Sequence, residues 1–193
     1  MEEIEYRRRA SIQEKGETVW RAFPDRLEYH DADGALRGVV PFDRVTRVRL
    51  AFAPGRLQQK RFLMELSGTR SQFNLSNMHF KGIAQFEDRT DTFFPLVRAV
   101  VAGVHAANPN ASFRAGEKPA YYVFLLAFVL VVYALLTLVL FTLPVVPGNF
   151  TISILIKLGI ILVSLPLLLA WGIHARPRRF DPETGLEAVL SAR

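Results

Sequence analysis

The stretch YYVFLLAFVLVVYALLTLVLFTL, residues 121–143, decides the class of this protein. It contains 23 residues, none of them charged, and is rich in Leu, Val and Phe. At a rise of 1.5 Å per residue, an α-helix of that length is about 35 Å long, and the hydrocarbon core of a bilayer is about 30 Å thick. The stretch therefore predicts a transmembrane helix.

A second apolar stretch, residues 150–173, follows closely and contains Lys157 and Pro166. Its fifteen Leu, Ile, Val and Phe residues favour insertion by about 0.3–0.6 kcal/mol each, which outweighs about 2.5–3.5 kcal/mol for one central lysine. The uncharged connection, residues 144–149, is long enough only for a tight turn. The sequence therefore predicts a two-helix transmembrane hairpin over residues 120–174.

Basic residues flank this hairpin on one side only. Arg114 and Lys118 precede it, Arg176, Arg178 and Arg179 follow it, and the turn has no Lys or Arg. Because cytoplasmic loops carry the excess of Lys and Arg, both chain termini are predicted to be cytoplasmic.

Lys157 leaves two interpretations open. It lies seven residues into its span, about 10 Å from the end, so its ammonium group can extend to the outer headgroups. Alternatively, it lies at an intramembrane interface with another copy or a partner. Pro166 predicts a local kink.

Residues 1–108 predict a cytoplasmic domain of mostly β-structure followed by one helix. Turn signals separate short strand-like runs, as in an antiparallel β-sandwich or barrel. These runs are residues 4–12, 18–23, 25–30, 36–40, 44–53, 60–67 and 70–76. Period-two alternation predicts the inward side chains, which are Val48, Leu50, Phe52, Phe62, Met64, Leu66, Phe73 and Leu75.

The pattern changes to a helical period after the last of these strands. From Asp91, the predicted N-cap, apolar residues at Phe93, Val97, Val100 and Val104 mark one face of a helix that ends at residue 107. Residues 77–88 are predicted to be a loop, residues 109–119 a linker and residues 175–193 a cytoplasmic tail. The tail is predicted either to pack on the domain or to remain free.

Three runs carry a resemblance to a known fold. They are DRLEY at residues 25–29, VVPFDRV at 39–45 and HFKG at 79–82. With the order of strands and closing helix, the chain resembles the pleckstrin-homology (PH) superfold, and in particular bacterial membrane-anchored PH-like proteins. The resemblance implies an α+β fold with one C-terminal helix closing the sandwich, placed at the bacterial inner membrane, and it implies no assigned activity.

One candidate contact surface stands out in the domain. Residues 44–61 contain six basic residues and no acidic one: Arg44, Arg47, Arg49, Arg56, Lys60 and Arg61. A linker holds them near the bilayer, so they are candidates for contact with anionic lipid or a protein partner. The alternative is an ordinary solvated strand face.

Several classes of function are disfavoured by composition. The chain has no cysteine, and its four histidines lack metal-ligand spacing. No nucleophile elbow, phosphate loop or dinucleotide motif occurs, so no catalytic residue, cofactor, metal or small-molecule substrate is predicted. Residues 1–118 carry 19 basic and 15 acidic residues, a balance that does not favour nucleic acid as a partner.

The sequence thus predicts a non-enzymatic interaction module tethered to the bacterial inner membrane, with membrane lipid or a protein as its partner. The alternative is a small subunit of a multi-copy membrane assembly, such as a homo-oligomer, with Lys157 at a helix interface.

Overall fold

The computed structural model of the chain describes residues 4–68, 72–142 and 149–191. The chain divides into two compact units, which we call the head and the helical pair. The head comprises Met1–Ala115 together with Arg178–Arg193, and the helical pair comprises Gly116–Pro177. Over the described ranges there are eleven strands and four α-helices, so the chain is a mixed α+β protein with mainly antiparallel sheets.

The first sheet of the head contains four antiparallel strands in chain order. They are β1 (Ile4–Arg8), β2 (Thr18–Ala22), β3 (Arg26–His30) and β4 (Leu36–Pro41). One row across this sheet joins Ile4, Ala22, Leu27 and Val40, and the last two have no exposed surface. The inner face therefore follows from alternation along each strand.

The second sheet has five strands in the order β11-β10-β5-β6-β7. Their bounds are β5 (Arg47–Phe52), β6 (Phe62–Ser67), β7 (Phe73–Ser76), β10 (Ser112–Ala115) and β11 (Arg178–Arg179). Six predicted inward side chains are buried, namely Val48, Leu50, Phe62, Met64, Leu66 and Leu75. Phe52 is instead 37% exposed at the end of β5, and Phe73 is half-buried at the start of an edge strand. The start predicted for β7, at residue 70, lies outside the described residues.

Residues 77–88 do not form the predicted loop. They contain an antiparallel hairpin of β8 (Met78–Gly82) and β9 (Gln85–Asp88). The fully buried Asn77 joins β7 to β8, and its side-chain amide donates to the carbonyl of Lys60 at 2.8 Å while its carbonyl accepts from the amide of Phe62 at 2.7 Å. Because the polar residue Asn77 lies between β7 and β8, it interrupts the apolar alternation, and the pattern alone did not predict β8 and β9.

The predicted helix is confirmed as α1 (Thr90–Ala107), with Phe93, Val97, Val100 and Val104 buried. The prediction that Asp91 is the N-cap is wrong, because Asp91 lies in the first turn and Arg89 is the N-cap residue. The carboxylate of Asp88 accepts from the amide of Thr90 at 3.0 Å. An acidic side chain just before the first turn satisfies a helix amide that has no partner within the helix.

Two predicted connections are parts of the head. Residues 109–119 are not a linker throughout, because β10 pairs parallel to β5. The segment predicted as a tail forms β11, antiparallel to β10, and α4 (Leu186–Ser191), whose Leu186 and Leu190 join the core. Burial of two leucines and closure of the β10 edge favour packing of this segment over its release into water.

The helical pair contains α2 (Pro119–Thr142) and α3 (Phe150–Ala175). Tyr133 Oη and Ser164 Oγ lie 3.1 Å apart, and Lys157 Nζ donates to the carbonyl of Phe141 at 3.1 Å. Residues later in α2 therefore meet residues earlier in α3, so the two helices run antiparallel. The predicted turn falls mostly on residues 143–148, outside the described residues.

The helical pair gives one candidate membrane span. By length and composition α2 can cross a bilayer, and none of its most apolar window is buried, unlike a core helix of a soluble protein. In α3 the apolar stretch Phe150–Pro166 is shorter.

Candidate functional site

The six basic residues of the predicted contact surface do not lie together. Arg44 and Arg47 are exposed at the beginning of β5, whereas Arg56 and Lys60 are exposed beyond its end. Because a strand rises about 3.3 Å per residue, the length of β5 alone separates the two groups by more than about 16 Å.

Arg49 contributes to the fold of the second sheet. Its Nε and Nη2 donate to one carboxylate oxygen of Glu65 at 2.9 and 2.6 Å, and the two residues are direct cross-strand neighbours. Glu65 is buried, so this ion pair is largely withdrawn from water. Arg61 is half-buried, and its Nε is buried without a hydrogen-bond partner. Only the exposed members of the predicted surface are therefore available to a partner.

The connection between β5 and β6 is an ordered hairpin. The amides of Gly55 and Gln58 each donate to the other's carbonyl at 3.1 Å, and the Ala53 amide donates to the Arg61 carbonyl at 2.9 Å. Arg56 and Leu57 therefore occupy the two central positions of the turn. We call residues 53–61 the basic hairpin; its Leu57 is 60% exposed.

The basic hairpin lies at the end of the sheet where the chain leaves the head. β10 runs parallel to β5, with Ser112 opposite Arg47 and Ala115 opposite Leu50. The chain thus moves along β5 towards the basic hairpin before it reaches residue 116. On return, Arg178 pairs with Ala115, so departure and return occur at adjacent positions.

Basic side chains lie near the end of β10, where the chain leaves the head. Arg179, Arg114 and Arg49 lie in one cross-strand row with Glu65. The Nε of Arg114 is buried without a hydrogen-bond partner. Three arginines and one glutamate in a row leave an excess of positive charge at this edge of the head.

A second group of charged residues surrounds the beginning of α1. Arg89 donates to the carboxylate of Glu17 at 2.9 Å and to the backbone carbonyl of Arg7 at 2.8 Å. The hydrogen bond from Arg89 lowers the pKa of Glu17. Glu87 lies 3.2 Å from Lys81, whose hydrogen bond lowers the pKa of that carboxyl. These contacts favour ionised carboxylates.

Buried His79 belongs to the same group. Its Nδ1 accepts from the amide of Arg9 at 3.1 Å, and its Nε2 lies 3.6 Å from Glu17. Burial lowers the pKa of His79, and the positive charge of Arg89 lowers it further. The acceptor role of Nδ1 also requires the neutral ring, so this histidine is a structural neutral group.

A cleft of about 460 Å³ lies beside this group and is lined by Glu5, Arg7, Asp88, Arg89, Asp91 and Thr92. Glu5 contacts Arg7 and Arg21, and the hydrogen bond from Arg7 lowers its pKa. The carboxylate of Asp88 accepts from the amide of Thr90. A general acid needs a pKa near neutrality, which the environment of Glu5 opposes. Across the residues that the structure describes, no cluster of three or more His, Asp or Glu could hold a metal ion.

Lys157 has a partner within its own chain. Its side chain is 6% exposed, its Nζ donates to the Phe141 carbonyl, and the ammonium lies 5.8 Å from the ring centroid of Phe141. That carbonyl is in the last turn of α2, where carbonyl groups have no partner within the helix and a cation is favoured. The structure therefore places the ammonium group of Lys157 as a cap on the C-terminal end of α2.

Reasoning from sequence missed two features of this site. The first is the pairing of β10 with β11, and the second is the separation of the basic residues into two groups. The direction of the predicted strand could have shown this separation: Arg44 precedes β5 and Arg56 follows it, so a β-strand between them places them at opposite ends.

Comparison of the chain with family models, curated proteins and solved structures found no match.

Proposed function

We propose that this protein is a non-enzymatic interaction module of the bacterial inner membrane. The helical pair is its anchor, and the head, a PH-like domain, acts at the cytoplasmic surface of the membrane. The observation that carries the proposal is the meeting of the two ends of the helical pair, since Arg178 pairs with Ala115 in the head.

A second contact supports the same topology from within the helical pair. Gly116 has a positive φ of +90°, and a Cβ there would lie 2.9 Å from the carbonyl oxygen of Arg176. The beginning of α2 and the end of α3 therefore lie on the same side of the helical pair. If α2 crosses the bilayer, α3 must return across it, which gives a hairpin.

The surface of the helical pair fits an apolar solvent. Phe124, Leu136 and Leu162 expose 69%, 63% and 75% of their surface, respectively. In water this exposure costs about 25 cal/mol per Å², whereas lipid chains remove that cost. Lys118 and Arg176 border the pair at the ends that meet, which favours the cytoplasm for the head.

The proposed absence of catalysis rests on the charged groups of the head. Glu5, Glu17 and Glu87 have their pKa values lowered by basic neighbours, and the neutral form of His79 is favoured by burial. Catalytic pairs are typically poised in the opposite way, with one pKa shifted towards neutrality.

The alternative of a multi-copy assembly places Lys157 at a helix interface. Its bond to the Phe141 carbonyl accounts for the lysine within one chain. We therefore expect Lys157→Leu to leave crosslinked species in native membranes unchanged. Discrete oligomer bands that disappear in this variant would favour the assembly instead.

The topology is tested with single cysteines, since the chain has none of its own. In intact cells, cysteines at Ile12 and Leu36 of the head should not react with a membrane-impermeant maleimide, whereas a cysteine at Asn149 should. Permeabilised cells provide the control, because all three sites should then react. Labelling of Leu36→Cys in intact cells, or release of the protein by alkaline carbonate, would contradict the proposal.

A further inference from the structure

We propose that the basic hairpin of the head contacts the anionic phospholipid surface of the same bilayer that anchors the chain. Leu57 enters the interfacial layer, and Arg56 and Lys60 lie against the headgroup phosphates. This inference rests on the proposed function, because it assigns the part of the head that meets the membrane.

The first argument is the composition of the turn. Two-residue hairpin turns often place Gly, Asn or Asp at positive φ, but neither Arg56 nor Leu57 has a positive φ, so the backbone of this turn accepts most residue types. Here the central positions are Arg56 and Leu57, and Leu57 lies outside the hydrophobic core with 60% of its surface exposed. The packing of the head therefore does not require a leucine at position 57.

The second argument is charge. Residues 53–61 contain Arg56, Lys60 and Arg61 and no acidic residue. Arg56 and Lys60 are exposed, so their charges are available to phosphate groups. An apolar residue between basic ones is the combination that binds anionic membrane surfaces, because apolar burial and electrostatic attraction add.

The third argument is position. The parallel pairing of β10 with β5 directs the departing chain along β5 towards the basic hairpin. Neighbouring strands lie about 4.8 Å apart, and each extended residue spans at most about 3.6 Å. Only residues 116–118 separate Ala115 from the start of α2 at Pro119. The four residue steps from Ala115 to Pro119 span at most about 14 Å, so the connection between the head and the anchor is short.

The head contains a matched leucine at its other end. Leu36 is 55% exposed at the start of β4. Gly38, two residues later, lies against the ring of Tyr29, and that ring is 5.5 Å from the ring of Phe73 at the beginning of β7. Since β7 begins opposite Leu66, beside the first residues of β5, Leu36 lies far from the basic hairpin.

The experiment uses the full-length protein in vesicles containing phosphatidylglycerol, with one fluorophore on Leu57→Cys or Leu36→Cys. Spin-labelled lipids in the vesicles quench fluorophores at the interface. We expect quenching at position 57 to exceed that at position 36 by at least about twofold, because only the former reaches the acyl boundary. Equal quenching at the two sites would overturn the inference.

Charge reversal provides a matched second measurement. Arg56→Glu with Lys60→Glu should reduce the contact equilibrium at position 57 by roughly tenfold or more. Arg44→Glu with Arg47→Glu changes the net charge by the same amount at the opposite end of β5. This control should leave the contact equilibrium at position 57 unchanged. Equal effects of the two double variants would overturn the specific role of the hairpin.

The same samples separate the two proposals. Protein that resists carbonate extraction but shows no quenching at position 57 retains the anchor and overturns only the lipid contact. Protein that is released by carbonate overturns both. Quenching that appears in native membranes but not in vesicles of purified protein would indicate a protein partner and overturn the assignment to lipid.

Discussion

The head buries most of its large apolar side chains, whereas the helical pair exposes them. In the head, Val48 and Leu66 have no exposed surface, whereas in the helical pair Phe124 and Leu162 are 69% and 75% exposed. Polar groups follow one rule in both units. Buried Glu65 is paired with Arg49, and buried Lys157 is bonded to a helix carbonyl. The comparison teaches that apolar side chains face inwards in the head and outwards in the helical pair, while buried polar groups need partners in either unit.

The buried ion pair of the head should give the largest effect. Glu65→Leu removes the buried carboxylate that accepts two hydrogen bonds from Arg49, and we expect the free energy of unfolding to fall by about 3–5 kcal/mol. Urea unfolding in detergent micelles, followed by Trp20 fluorescence in a Trp171→Phe background, measures it. Adding Arg49→Met should restore most of the loss. A double variant as unstable as the single one would contradict the pairing argument.

Asn77 tests the buried polar joint between β7, β8 and α1. Asn77→Ala removes the acceptor of the Phe62 amide and the donor to the Lys60 carbonyl, so we expect a loss of about 2–4 kcal/mol, since each unsatisfied buried group costs about 1–3 kcal/mol. The same urea titration applies. Asn74→Ala is the control, because Asn74 is exposed and should change the stability by less than about 0.5 kcal/mol.

Lys157 provides the corresponding test in the helical pair, where it caps the end of α2. Lys157→Met removes the hydrogen bond and the cation from the end of α2, and we expect the pair to lose about 1 kcal/mol of stability. Thermal loss of helicity in micelles reports this change. Leu158→Met, at a neighbouring exposed position, should have no comparable effect. Unchanged stability in Lys157→Met would show that the cap contributes nothing.

The smallest effect concerns pH and is confined to the head. Folding lowers the pKa of His79 below 6.5, so the unfolded chain binds this proton at a higher pH than the folded chain. The stability from this group is complete above pH 6.5, and it is lost as the pH falls from 6.5 through the lower pKa of the folded state. His79→Asn keeps an acceptor without titrating and should flatten the dependence between about pH 7 and pH 5. An unchanged slope would exclude His79 as its source.

Local patterns predicted most elements, because each depends on neighbours in sequence. Alternation at Val48 and Leu50 and the helical period at Val97 and Val104 were sufficient for β5 and α1. The pairing of Arg114 with Arg179 was not predictable in this way. Strands of four and two residues carry too little periodicity, and their stability comes from distant partners.

The candidate site was predicted in composition but not in arrangement. The basic residues were identified from their density in residues 44–61, but the ion pair of Arg49 depends on the cross-strand register with Glu65. A hairpin register is set by the connecting turn. Since that turn has an unusual composition at Arg56 and Leu57, its geometry could not be assigned from turn preferences.

The pairing of β10 with β11 imposes an order on biosynthesis. Leu186 and Leu190 complete the core of the head, yet they leave the ribosome only after both helices. Until then a nascent chain carries an unfilled core and an open edge on β10, which invites recognition by chaperones and proteases. Completion of the head would therefore report that synthesis has passed the second helix.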